Sequence, residues 1–176
     1  GWAAGLIIAT KAWQRDQREG VPPEGGTTGL RHEFASYFHE EVFELQNQEV
    51  RDFLVDTSIL DELSPAACAA VVSNAKARNI LEQVFEGGLF LSDLDRELSR
   101  YRYHTLFREM VLGRLMRRAP ERATELHRRA STYFVETGDL SRALEHAMLC
   151  GDKIFLADQL ELLAEPMTYS GLLYRI

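Results

Sequence analysis

Residues 77–107, ARNILEQVFEGGLFLSDLDRELSRYRYHTLF, decide the fold. Ala77, Ile80, Leu81, Val84 and Phe85 recur at helical spacing and predict an amphipathic helix. Gly87-Gly88 stops it, because glycine readily takes the left-handed conformation at a helix end. Two short strand-like pieces follow, Leu89-Phe90-Leu91 and Tyr101-Arg102-Tyr103-His104, joined by a polar loop over residues 92–100. Upstream, Ser64-Pro65 reads as the start of a short helix, with Ser64 as N-cap and Pro65 at the first helical position. Before that, Val50, Phe53, Leu54 and Thr57 make the face of another helix. Three helices followed by a two-stranded hairpin form a winged helix, a variant of helix-turn-helix.

On the N-terminal side, residues 2–17 carry Trp2, Leu6, Ala9 and Trp13 at helical intervals. The segment from Glu19 to Gly29 is too rich in Pro and Gly to continue that helix and predicts a loop. A helix resumes over 31–46, with Phe34, Tyr37, Phe38, Val42 and Leu45 on one stripe. On the C-terminal side, a helix over about 105–118 carries Phe107, Val111, Leu112, Leu115 and Met116. Pro120 opens another, striped by Ala123, Leu126, Ala130, Tyr133 and Phe134, and Gly138-Asp139 ends it. A shorter helix with Ala143, Leu144 and Ala147 runs to Gly151-Asp152, and a last one to about Ala164, ahead of Pro166. Small residues at Ala130, Ala143 and Ala147 suit helices that press closely, as in a tetratricopeptide-like hairpin. The expected fold is mainly α: a winged-helix domain followed by tetratricopeptide-like helical hairpins.

Composition narrows the function. The chain has 176 residues, 45% of them apolar, with a formal net charge of -7. That is ample for a core and excludes disordered and collagen-like classes. No apolar run approaches a membrane span, and no secretory signal opens the chain, so a cytoplasmic protein is expected. The start at Gly1-Trp2-Ala3 without an initiator Met reads as the interior of a longer protein. Cys68 and Cys150 lie far apart in apolar helices and read as buried thiols. Neither a phosphate-binding glycine loop, a Gly-x-Ser-x-Gly nucleophile, a His-Glu-x-x-His motif nor a zinc-ligand spacing occurs. No enzyme active site is expected within the chain. The adjacent carboxylates Glu40-Glu41 and the alternate pair Asp93 and Asp95 read as solvated surface.

Charge is unevenly distributed. Residues 96–129 hold ten arginines against four acids, leaving the remainder at -13. An Arg-rich wing could grip DNA phosphates. The third helix, however, offsets Lys76 and Arg78 with Glu82 and Glu86 on the element that would have to read bases. The other readings are a solvated face with internal salt links, or a contact with a nucleotide or an acidic partner surface. His104 closes the second strand where the next helix begins. On local sequence it reads as a residue capping its own turn, while a helix N-terminus also favours anions.

Five segments occur in a telling order: Gly1-Trp2-Ala3-Ala4-Gly5-Leu6, Phe53-Leu54-x-x-Thr57-Ser58-Ile59-Leu60, Glu86-Gly87-Gly88-Leu89-Phe90-Leu91, Tyr101-Arg102-Tyr103-His104-Thr105-Leu106-Phe107 and Leu126-His127-Arg128-Arg129-Ala130. The set resembles the MalT-like, large ATP-binding LuxR-type transcriptional activators. The resemblance implies residues 1–18 as the end of a helical lid, 19–30 as a flexible loop, 31–118 as the winged helix and 119–176 as the start of a tetratricopeptide-like sensor region. An upstream nucleotide-binding module and downstream sensor and DNA-binding domains of the same chain would be its partners. A small-molecule inducer would act on the whole protein, and DNA would be met only through the C-terminal domain. ATP and ADP would bind the full-length protein, with little or no affinity for this segment alone. In related switches a His at the end of the wing touches the β-phosphate of ADP and holds the inactive state, a place taken here by His104. Ala3 stands where relatives carry a Pro near the adenine, leaving that contact to the Ala3 backbone and Trp2. The alternatives are a DNA-binding winged helix using the Arg-rich wing, and a tetratricopeptide-type scaffold for a partner protein.

Overall fold

The structure, a computed structural model, describes residues 43–88 and 90–169. These residues form seven α-helices and one two-stranded antiparallel sheet. Helix α1 spans Gln48–Asp56 and runs into a 3-10 turn, Thr57–Ile59. Helices α2 (Pro65–Val72) and α3 (Ala77–Glu86) precede the wing, β1 (Leu91–Asp95) and β2 (Arg100–Tyr103). Then come α4 (Thr105–Arg118), α5 (Pro120–Glu136), α6 (Leu140–Leu149) and α7 (Lys153–Tyr169).

The helix ends follow from side-chain chemistry. Asn47 Oδ1 accepts from the Val50 amide at 2.9 Å, and Ser64 Oγ accepts from the Ala67 amide at 3.2 Å. Each satisfies an amide that a helix start leaves unpaired. The two Gly-Asp pairs are a stop and a start side by side. Gly138 takes φ +78° after α5, and Asp139 then accepts from the Arg142 amide to cap α6. Gly151 has φ +72°, and Asp152 accepts from the amides of Ile154 and Phe155 at the head of α7.

The wing differs from expectation. Its first strand spans Leu91–Asp95, reaching beyond the expected end at Leu91, so the connecting turn shrinks to residues 96–99. Ser92 and Asp93 look like loop residues, yet one face of a two-stranded hairpin meets solvent and tolerates them. Leu91 pairs with Tyr103, Ser92 with Arg102 and Asp93 with Tyr101, and the register slips between Asp93 and Asp95. A third extended segment was not foreseen. Leu63 exchanges both backbone hydrogen bonds with Tyr101, at 2.8 and 2.9 Å, tying the α1–α2 connection to the wing.

Three further expectations are corrected. Leu45 is 75% exposed, because the chain turns at Phe43–Gln46, and residues 31–42 of the helix expected over 31–46 lie outside the described residues. Met116 is 49% exposed, since the buried stripe of α4 runs through Phe107, Val111 and Leu115. Helix α7 does not stop before Pro166 but continues to Tyr169. A proline removes one amide donor from a helix without forbidding the next turn.

One apolar cluster joins the winged helix to the helices behind it. Leu54, Leu60, Leu63, Leu81 and Phe107 fill the front, while Leu126, Ala130 and Phe134 of α5 and Ala143 and Leu144 of α6 continue it. Phe90 and Tyr103 both lean on Phe107, with ring centroids 4.4 and 5.4 Å away. Cys68 and Cys150 are buried free thiols, and burial pushes the Cys68 thiol up to about 12. Among the described residues no helix is long and apolar enough to cross a membrane.

Truncating Leu126 to Ala should cost about 2–5 kcal/mol, the range for emptying a fully buried Leu site. Ser64→Ala should cost about 1 kcal/mol through the lost cap. Urea denaturation of the chain measures both.

Candidate functional site

His104 is the N-cap residue of α4, at the point where the wing hands over to the helix. Three bonds fix its place. Its amide donates to the Phe90 carbonyl at 2.9 Å, and its carbonyl accepts from the Arg108 amide at 2.9 Å. Just before it, Tyr103 is buried and its hydroxyl lies 2.6 Å from Thr57 Oγ1. The Thr57 hydroxyl donates its single proton to the Phe53 carbonyl, so Tyr103 is the donor to Thr57. Burial drives the Tyr103 phenol pKa upward, which keeps that proton in place.

The imidazole of His104 makes no capping hydrogen bond to its own helix, in contrast to the capping expected from local sequence. It is half-buried, and that burial lowers its pKa from the ordinary value. A neutral imidazole offers one N–H donor and one acceptor nitrogen. It stands at the end of a helix whose first amides point outward and favour negative charge. Trp2 and Ala3, the other residues expected near a nucleotide, lie outside the described residues.

Most of the Arg-rich stretch is engaged inside the molecule. Arg108 of α4 donates to the carbonyls of Ser58 and Ile59, at 2.9 and 3.3 Å, and pairs with Asp61 at 2.7 Å. Arg114 pairs with Glu44 at 3.3 Å and lies over the Phe43 ring. Arg122 of α5 reaches Asp56 at the end of α1, at 2.5 Å. Arg129 of α5 donates to the Val71 carbonyl and to Ser73 Oγ at the end of α2, and pairs with Glu125. Arg100 pairs with Glu62, and Arg128 with Asp152. Arg96, Arg102, Arg117 and Arg118 make no ion pair among the described residues.

The third helix is neutralised where a DNA reader would be basic. Lys76 at its N-cap pairs with Glu49 at 3.5 Å, and Arg78 pairs with Glu82 one turn on at 3.8 Å. The exposed wing adds Asp93 and Glu97 beside Arg96 and Arg102. Most of these arginines therefore act as internal fasteners, with Arg122 and Arg129 joining the winged helix to the helices behind it.

One polar cluster escaped the sequence. His127 of α5 and His146 of α6 are both buried, with their Nδ1 atoms 2.9 Å apart. The sequence signal was there: each lies beside small or apolar positions of a buried stripe, where a charged imidazole is costly. Among the described residues no group of three or more His, Cys, Asp or Glu is placed to hold a metal ion.

Comparison with known proteins fits this geometry. Residues 39–123 match the family model described as the MalT winged helix domain. Over 163 residues the chain is 32% identical to the serine/threonine-protein kinase PknK of Mycobacterium tuberculosis, covering 92% of this chain and 14% of that protein. It is 30% identical over 158 residues to the HTH-type transcriptional regulator MalT of Vibrio cholerae, covering 89% of this chain and 18% of the relative. The protein of that name from Klebsiella pneumoniae is 27% identical over 159 residues, 90% of this chain and 18% of its own length. The chain thus spans 14–18% of the length of these relatives.

Replacing Arg108 with Leu should destabilise the chain by about 1.5–3 kcal/mol, because two carbonyls and a carboxylate lose a charged donor. Arg102→Leu, at an exposed position without an ion pair among the described residues, should stay within about 0.5 kcal/mol. Paired denaturation curves separate the two.

Proposed function

This chain carries a winged helix domain of the MalT family, and on that premise we propose that it is the regulatory middle segment of an ATP-dependent bacterial transcriptional activator. In this proposal the winged helix is a joint between a nucleotide-binding module upstream and a tetratricopeptide-like sensor that begins with α5–α7. The observation that carries it is the use of the basic residues. Lys76 and Arg78 of the third helix face carboxylates, and Arg108, Arg122 and Arg129 fasten the domain internally. A winged helix so arranged suits transmission better than base reading, which needs uncommitted donors in the major groove. The relatives support the same view. One stretch is shared by proteins named a kinase and HTH-type regulators, as expected of a control segment common to different outputs.

His104 is the residue proposed to sense nucleotide. Its imidazole, at the head of α4, would donate to the β-phosphate of ADP held by the upstream module. Trp2 and the Ala3 backbone would border the adenine. A contact made in the ADP-bound form alone gives the two states different affinities, which ligand control requires. Inducer and ATP would favour an open, self-associating form, and DNA would be bound by a separate C-terminal domain. The cell compartment proposed is the cytoplasm, where such a regulator meets DNA.

In the longer protein, His104→Ala should weaken ADP retention about 10-fold or more, the worth of a hydrogen bond to a charged oxygen. Inducer-independent transcription should rise with it. Unchanged ADP affinity with unchanged basal transcription removes His104 from the mechanism. Duplex DNA titrated into this chain by fluorescence anisotropy at two salt concentrations should show weak binding only. Tight, strongly salt-dependent binding would favour a DNA-reading winged helix instead.

A further inference from the structure

The buried histidines occupy a seam. His127 lies on α5 and His146 on α6, and a small cleft beside His146 is lined by Ile59, Leu60 and Arg108 of the winged helix. The two imidazoles are bonded Nδ1 to Nδ1 at 2.9 Å, and His146 stacks on Phe134 with ring centroids 5.5 Å apart and planes 11° from parallel. This bond has a strict proton requirement. One ring must carry its proton on Nδ1 and donate, while the other must leave Nδ1 bare and accept. A first added proton places a charge in a buried site. A second places N–H against N–H and breaks the bond.

Burial opposes charging of the pair more than any neighbouring group does. Arg108 faces it from α4 and Arg142 from α6, the latter lying 4.5 Å over the Phe134 ring. Asp61, in the connection after the 3-10 turn, acts in the opposite sense and pairs with Arg108 at 2.7 Å, as Asp139 pairs with Arg142 at 2.6 Å. Glu62 and Glu145 also line the cleft, and Glu62 is paired with Arg100.

We propose that the His127–His146 pair is a proton-sensitive latch, whose protonation releases α6 from α5 and from the winged helix. The proposal is independent of nucleotide binding. Burial, with Arg108 adding to it, holds His127 down to about 4. Burial, then the charge of His127, holds His146 down to about 4. An opened seam returns both rings to water and to ordinary imidazole values of about 6.5. The open form therefore binds more protons between these limits. The closed form keeps its full advantage above about 6.5 and loses it as pH falls toward 4. The device would make the junction between winged helix and helical hairpin yield to acidification before the rest of the fold.

Hydrogen exchange of α6 amides in the 176-residue chain, corrected for intrinsic rates, tests this. The opening constant should rise about 10-fold or more from pH 7 to pH 5, as proton linkage to two depressed imidazoles requires. In the double variant His127→Asn and His146→Asn, where amides can bond in the same places without titrating, that rise should vanish. A rise that persists in the variant overturns the latch, as does a flat response in the parent chain. The parent's own imidazole NMR signals give a second measure that needs no variant. Both rings staying neutral to below pH 5 supports the proposal, and either ring titrating near 6.5 in the closed form overturns it.

Discussion

Helix α5 has to bury two faces at once, and the rest of the structure depends on that demand. One face lies against α2 of the winged helix, the other against α6, and a single apolar cluster runs through both. Ala123, Leu126 and Ala130 lie on its buried surface, and Ala143 and Ala147 of α6 are fully buried opposite. Small side chains at these points let the backbones approach closely, and interiors packed to that density transmit displacement rather than absorb it. Arg122 and Arg129 then fix α5 near its start and at its middle, onto Asp56 of α1 and onto the end of α2. Held this way, the winged helix shares one continuous core with the helices behind it.

That constraint explains what becomes of the basic stretch. Its positive charge looks available for phosphates when counted along the chain. In the fold Arg100, Arg108, Arg114, Arg122, Arg128 and Arg129 each face a carboxylate. Exposed ion pairs of this kind contribute little stability one by one. Arg108 is different, because it also satisfies two main-chain carbonyls of the 3-10 turn. It begins one turn after His104 and reaches the neighbourhood of the His127–His146 pair. Helix α4 therefore connects the proposed phosphate-sensing residue to the seam with the helical hairpin.

Much of the fold was legible in the sequence because its signals are local. Ser64-Pro65 starts α2, Gly87-Gly88 ends α3, and both Gly-Asp pairs break the chain where expected. What stayed hidden depends on partners distant in sequence. Leu63 carries no mark of a strand, since its bridge is to Tyr101, far along the chain. Ser92 and Asp93 resemble a loop until β2 lies beside them. The partners of the arginines come from other elements, so a charge count could raise internal salt links as one reading without choosing it. His127 and His146 stand nineteen positions apart on separate helices, and only the α5–α6 packing brings them together. Of the expected site residues, His104 was placed at the wing–helix junction by local pattern, and its relation to a phosphate rested on the resemblance alone.

In the proposed mechanism this winged helix reports nucleotide state through His104. The most direct measurement is a crystal structure of the longer protein with ADP bound. An imidazole nitrogen of His104 should lie within about 3 Å of a β-phosphate oxygen, as a hydrogen bond requires. An ADP whose phosphates are fully enclosed by other residues, with the head of α4 turned away from them, would contradict it.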